Sequence, residues 1–92
     1  MTDSNGHEVR GPDVVRLAKE QLAELTGHTA ESVSALNRSD GGWQVTVEMI
    51  EVERIPPTTN VMGSYEVQLD GDGIVVGYER VRRYHGGRVD EE

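Results

Sequence analysis

The sequence has no cysteine and no phenylalanine, and only one tryptophan and one lysine. Without cysteine, disulfides, thiol nucleophiles and thiolate metal centres are all excluded, which fits a reducing compartment. Apolar residues make up 35% of the chain and aromatics 4%, so little bulky side-chain volume is available for a core. A 92-residue chain has room for one domain; at that size roughly 60% of the unfolded surface is buried. The longest apolar run is Ile74-Val75-Val76, far short of the roughly 20 residues of a membrane-spanning helix. Residues 1–12 are polar, without the apolar core of a signal peptide, and are expected to be a disordered leader. The expected location is cytoplasmic.

Charge is unevenly spread. The net charge is -8, which opposes nucleic acid as the main partner because phosphate binding needs concentrated cationic surface. Yet between Ile74 and Val89 four arginines (Arg80, Arg82, Arg83, Arg88) stand against one acid, Glu79. This end of the sequence is a basic island on an acidic chain. Lys19 is the lone lysine among the cations. Arginine's planar fork suits carboxylates at interfaces, although a GC-rich genome produces the same bias.

Pro12 and Asp13 announce a helix, and Val14, Leu17, Ala18, Leu22 and Leu25 follow at helical spacing, with Gln21 the polar residue on that face. Gly27 is a stop signal. The spacing predicts a helix from Pro12 to Thr26. From Ser32 the period changes to two, predicting strands at Ser32 to Asn37, Trp43 to Glu53, Tyr65 to Asp70 and Ile74 to Tyr84. Trp43, Val45, Val47 and Met49 share one face of the second strand, whereas Ile50 and Val52 fall on the other. A β-bulge near Met49 is expected to restore one buried face. Pro56-Pro57 ends that strand, and Thr58 to Gly63 is expected to be a loop. The fold class is α+β: one helix covering a four-stranded antiparallel meander, a single domain over residues 13–85 with a flexible tail at 86–92.

No catalytic constellation is legible. His7, His28 and His85 are dispersed, and none accompanies a nucleophile motif. Asp70-Gly71-Asp72-Gly73 resembles the start of a calcium loop but lacks its distant glutamate, and Asp-Gly is what a tight hairpin requires sterically. Glu48, Glu51 and Glu53 read as strand carboxylates facing solvent or arginine. The chain is therefore expected to be no enzyme, with no cofactor and no metal.

The last strand offers the strongest candidate. Strict alternation places Tyr78, Arg80, Arg82 and Tyr84 on one face and Glu79, Val81 and Arg83 on the other. Aromatics interleaved with arginines suit a protein interface. The competing use is internal pairing with Glu48, Glu51, Glu53 or Glu66 on neighbouring strands. As an edge of the meander, this strand could also extend a partner's sheet.

The helix, the strand Trp43 to Glu48, the segment Glu53-Arg54-Ile55-Pro56, the Tyr65-Glu66-Val67 strand, the Asp-Gly turn and the ending Tyr78-Glu79-Arg80-Val81-Arg82-Arg83-Tyr84 together resemble the gas vesicle protein O family, over Asp13 to Tyr84. That resemblance implies a non-enzymatic accessory protein of gas vesicle assembly, which contacts other gas vesicle proteins and is associated with the vesicles. The partner-facing residues are then expected to be Arg54, Tyr65, Tyr78, Arg80, Arg82, Arg83 and Tyr84, with no nucleic acid and no membrane as partner. The order of elements also looks like PepSY-type or cystatin-like modules, which implies the alternative of a regulatory or inhibitory binding module unrelated to gas vesicles.

Overall fold

The computed structural model describes residues 9–85. The expected leader of residues 1–12 therefore lies outside the described residues up to position 8, and the expected tail at 86–92 lies wholly outside them. Val9 donates its backbone N–H to the carbonyl of Gly71 at 3.3 Å and packs against the core.

Helix α1 spans Gly11–Thr26 and ends at Gly27, whose φ of 77° is the left-handed conformation glycine adopts without steric cost. Its buried line is Val14, Ala18 and Leu22, three positions spaced by four. The next position on that line is Thr26, so Leu25 falls to one side and is 55% exposed, contrary to its expected place on the buried face.

Strands β1 (Thr29–Ser39), β2 (Gly42–Val52), β3 (Val61–Asp70) and β4 (Val75–His85) form one antiparallel sheet in the order β1-β2-β3-β4, the expected meander. Trp43, Val45, Val47 and Met49 on β2 and Tyr65, Val67 and Leu69 on β3 face the helix and make the core with its buried line. The β3–β4 turn is set by Asp70, whose Oδ1 accepts the backbone N–H groups of Asp72 and Ile74, both at 2.9 Å. The predicted polar exception on the helix, Gln21, has a role here. Its amide nitrogen donates to the carbonyl of Gly73 at 2.7 Å and its amide oxygen accepts the N–H of Val75 at 2.9 Å, tying the helix to that turn.

The helix starts beside the β3–β4 turn and finishes where β1 begins, and its buried line packs on β2 and β3, with Ala30 and Val33 of β1 partly buried against that core. At the ends of β2 and β4, Val52 and His85 are exposed and lie outside the buried core.

Three sequence expectations change. First, β3 begins at Val61, so the second half of the segment predicted as a loop from Thr58 to Gly63 is strand. A 3-10 turn, Pro57–Thr59, replaces the long loop, and the Asn60 side chain closes it by accepting the N–H of Arg54 at 2.7 Å. Second, the β2 bulge lies between Ile50 and Val52 and leaves Glu51 as the extra residue; Val52 stays exposed. Third, β4 does not alternate evenly, because its register slips beside Ser64/Tyr65 and Gln68/Leu69, leaving Val81 and Val76 as extra residues. Cross-strand partners share a face. Tyr78 and Arg80, opposite Val67 and Tyr65, therefore lie on the helix side with Arg83, opposite Gly63, whereas Glu79, Arg82 and Tyr84 lie on the other side. The expected grouping of Tyr78, Arg80, Arg82 and Tyr84 on one face is overturned by the bulge at Val81, which inverts the side-chain phase.

Candidate functional site

Glu51 is the centre of the helix-side cluster. Two residues after Met49, its side chain lies on the helix side of the sheet, where it is 3% exposed. Its Oε2 accepts the Tyr65 hydroxyl at 2.7 Å, Arg80 Nη1 reaches both oxygens at 3.2 Å, and Arg83 Nε donates to Oε1 at 3.1 Å. Gly63 makes room for this carboxylate: a Cβ built there runs into Glu51 Oε2 and the Tyr65 ring. Burial alone would raise the Glu51 carboxyl, but the Tyr65 hydroxyl and the two guanidiniums hold it below its ordinary value.

Glu48 is the corresponding centre on the opposite face. Its neighbours Val47 and Met49 point into the core, so it points away from the helix. Its Oε2 accepts the Ser34 hydroxyl and its Oε1 the hydroxyls of Ser64 and Tyr84, all at 2.6 Å. Arg82 lies over the Tyr84 ring at 4.6 Å from its centroid and adds its charge to the same group. Here too burial would raise the carboxyl, and the three hydroxyls together with Arg82 more than offset it, leaving it lowered. The phenols respond in the opposite sense: burial and then the adjoining carboxylate push Tyr65 and Tyr84 up to about 12.

The two centres bring most of the predicted site residues together, but as anchors as well as surface. Tyr65, expected among the partner-facing groups, is 7% exposed with its hydroxyl committed to Glu51. Arg80 and Arg83 are paired with Glu51 yet remain substantially exposed, and the half-buried Tyr84 is held by Glu48. Tyr78 leans on Tyr65, with ring centroids 6.2 Å apart, and is 43% exposed. Arg54 is exposed, and its side chain makes no hydrogen bond or ion pair among the described residues.

Beside the Glu51 centre a cleft of about 410 Å³ is lined by Val52, Arg54, Val61, Arg83, Tyr84 and His85. Val52, Val61 and His85 were not among the predicted site residues, and neither were the hydroxyl donors Ser34 and Ser64. Val52 and Val61 pair across β2 and β3, and Val61 pairs with His85 across β3 and β4, so register alone assembles the floor of this cleft.

The arrangement positions donors around two carboxylates that are already saturated by them. It provides charge and shape for recognition. Among the described residues no group of three or more His, Asp or Glu side chains is placed to hold a metal ion, and no helix is long and apolar enough to cross a membrane.

Comparison with known proteins gives a consistent result. Residues 2–90 match the family described as Gas vesicle synthesis protein GvpO. The chain is 53% identical over 77 residues to Gas vesicle protein O of Streptomyces sp. (strain CB03234), covering 84% of this chain and 60% of that protein. It is 39% identical over 75 residues to Gas vesicle protein O1 of Halobacterium salinarum, covering 82% of this chain and 63% of that protein. With Gas vesicle protein O of Haloferax mediterranei the identity is 37% over 76 residues, 82% of this chain and 54% of the relative. The chain thus spans little more than half the length of these relatives. No solved structure matches it.

Proposed function

The chain belongs to the GvpO family of gas vesicle synthesis proteins, and from that premise we propose that it is a non-enzymatic, cytoplasmic accessory protein of gas vesicle assembly that acts by contacting other gas vesicle proteins. The observation that carries this reading is the match over almost the whole chain, joined to relatives named gas vesicle protein O. Its physical support is the construction of β4. Arg80 and Arg83 are held in place by Glu51, and Tyr84 by Glu48, while the arginines keep much of their surface exposed. Side chains fixed in advance lose less conformational entropy when a partner binds. Arg54, Tyr78 and Arg82 complete the proposed contact surface on the two faces of this end of the sheet.

The test is a deletion strain scored for buoyancy and for vesicles by electron microscopy. It is complemented with the native chain or with an Arg54→Gln/Tyr78→Ser/Arg82→Gln variant, chosen because none of these side chains donates a hydrogen bond to Glu48 or Glu51. The native chain is expected to restore flotation and the variant to fail while remaining folded by circular dichroism. Normal flotation of the deletion strain would remove the reading.

A further inference from the structure

We infer that the cleft beside the Glu51 centre binds a carboxylate-bearing, extended segment of another protein, gripped between Arg54 and Arg83 with an apolar side chain against Val52 and Val61. This rests on the assembly role proposed above and names the chemistry of the partner.

The lining of the cleft carries the argument. Arg54, Arg83 and His85 line it, and among the described residues no carboxylate does, although the chain as a whole has a net charge of -8. Arg83 is pinned by its Nε to Glu51, and no acceptor among the described residues takes its two terminal amino groups. It is therefore oriented but unsaturated. Arg54 leaves its backbone N–H on Asn60 and its whole guanidinium without an ion-pair partner among the described residues. A carboxylate offered to two guanidinium forks gains charge-assisted bonds with directional preference.

Apolar surface beside these cations sets the rest of the ligand. Val52 is exposed and Val61 half-buried, neighbours across two strands. A free small anion would leave them in water, whereas a strand-like segment presents a carboxylate and an apolar side chain within a few residues of each other. Direct self-pairing of β4 with β4 of a second copy is opposed by charge, since it would bring Arg80, Arg82 and Arg83 against their equivalents.

The experiment uses the full chain and a fluorescein-labelled decapeptide of alternating valine and glutamate, with the same peptide carrying glutamine in place of glutamate as control. Fluorescence anisotropy should show saturable binding of the acidic peptide that weakens as salt rises. The glutamine peptide and the Arg54→Gln variant should each weaken it by roughly tenfold, the effect of losing a charge-assisted contact. Nitrogen-15 spectra should place the perturbed amides at Val52, Val61 and His85. Equal binding of the two peptides, no binding up to millimolar peptide, unchanged affinity of Arg54→Gln, or perturbations confined elsewhere would each overturn the inference. So would complete displacement by inorganic phosphate at a concentration equal to that of the peptide, which identifies a general anion site, or self-association in sedimentation that Arg54→Gln abolishes. These readouts are independent of flotation, so loss of the peptide site would leave the assembly role standing, and a buoyant deletion strain would leave the peptide site standing.

Discussion

Glu48 and Glu51, three residues apart on one strand, deliver their carboxylates to opposite faces of the sheet. The alternation of β2 puts Glu48 on the face away from the helix and Glu51, like Met49, on the helix side, beside Tyr65. Each then reaches across β3 to β4, through Tyr84 on one face and through Arg80 and Arg83 on the other. The edge strand is thereby fastened from both sides by groups two strands away.

If Glu51 secures β4, replacing it by glutamine should loosen that strand selectively. The amide still accepts from Tyr65 but no longer neutralises the two arginines. A hydrogen bond to a charged group contributes about 1.5–3 kcal/mol, but Arg80 and Arg83 are well exposed and screened by solvent, so the loss should fall at the lower end, about 1.5 kcal/mol. Urea unfolding checks the size. Faster amide exchange in β4 than in β2 checks the location.

Both carboxyls are held below their ordinary value of 4.5, so the unfolded chain binds their protons more readily than the folded one. Their contribution is therefore fully present above pH 4.5 and disappears as pH falls through the lower folded values. Tyr65 and Tyr84 are raised from 10 to about 12, so their contribution is present below pH 10 and is lost as pH climbs toward 12. Urea midpoints measured across pH should show a plateau with an acidic and an alkaline shoulder. The double variant Glu48→Gln/Glu51→Gln should flatten the acidic shoulder, and Tyr84→Phe should reduce the alkaline one.

The coarse fold was legible because it rests on strong local signals. The stripe of Val14, Ala18 and Leu22, the glycine stop at Gly27 and the Asp-Gly turn each specify one conformation with few alternatives. The meander followed from short turns. What escaped sequence reading was register. Nothing in Tyr78-Glu79-Arg80-Val81-Arg82-Arg83-Tyr84 shows that Val81 is the extra residue, since a bulge is fixed by the opposing strand. Arginine pairing with Glu48 or Glu51 was foreseeable as one of several options, but which acid met which base depended on that slip. Gly63 read as the end of a loop, and Ser64 beside it is likewise small. The pair is small because one residue admits the Glu51 carboxylate and the other donates to Glu48.

That accommodation makes Gly63 a sensitive position. Alanine there places a methyl group against Glu51 Oε2 and the Tyr65 ring, so the carboxylate must move away from its three donors. A loss of about 2 kcal/mol is expected, in the range for overpacking a filled site. The double variant Gly63→Ala/Glu51→Ala should lose less than the sum of the single changes, because the clash and the network share one atom group. Thermal denaturation of the four proteins in this cycle measures the coupling.

A last consequence concerns the face away from the helix, where Glu66 and Glu79 stand directly opposite each other on β3 and β4. Both are exposed, and like charges in cross-strand register repel by a few tenths of a kcal/mol up to about 1 kcal/mol. The native sequence tolerates this because Gln68 and Gly77 on one side are uncharged, and on the other the Arg82 opposite Ser64 adds a positive charge. Converting Glu79 to arginine should turn repulsion into attraction and raise stability by about 0.5–1 kcal/mol, with the gain shrinking in high salt as an exposed pair requires. Denaturant titration at low and high ionic strength tests it: an unchanged midpoint at low salt would show that the two side chains splay apart in solution, and a gain that survives high salt would point to an origin other than charge.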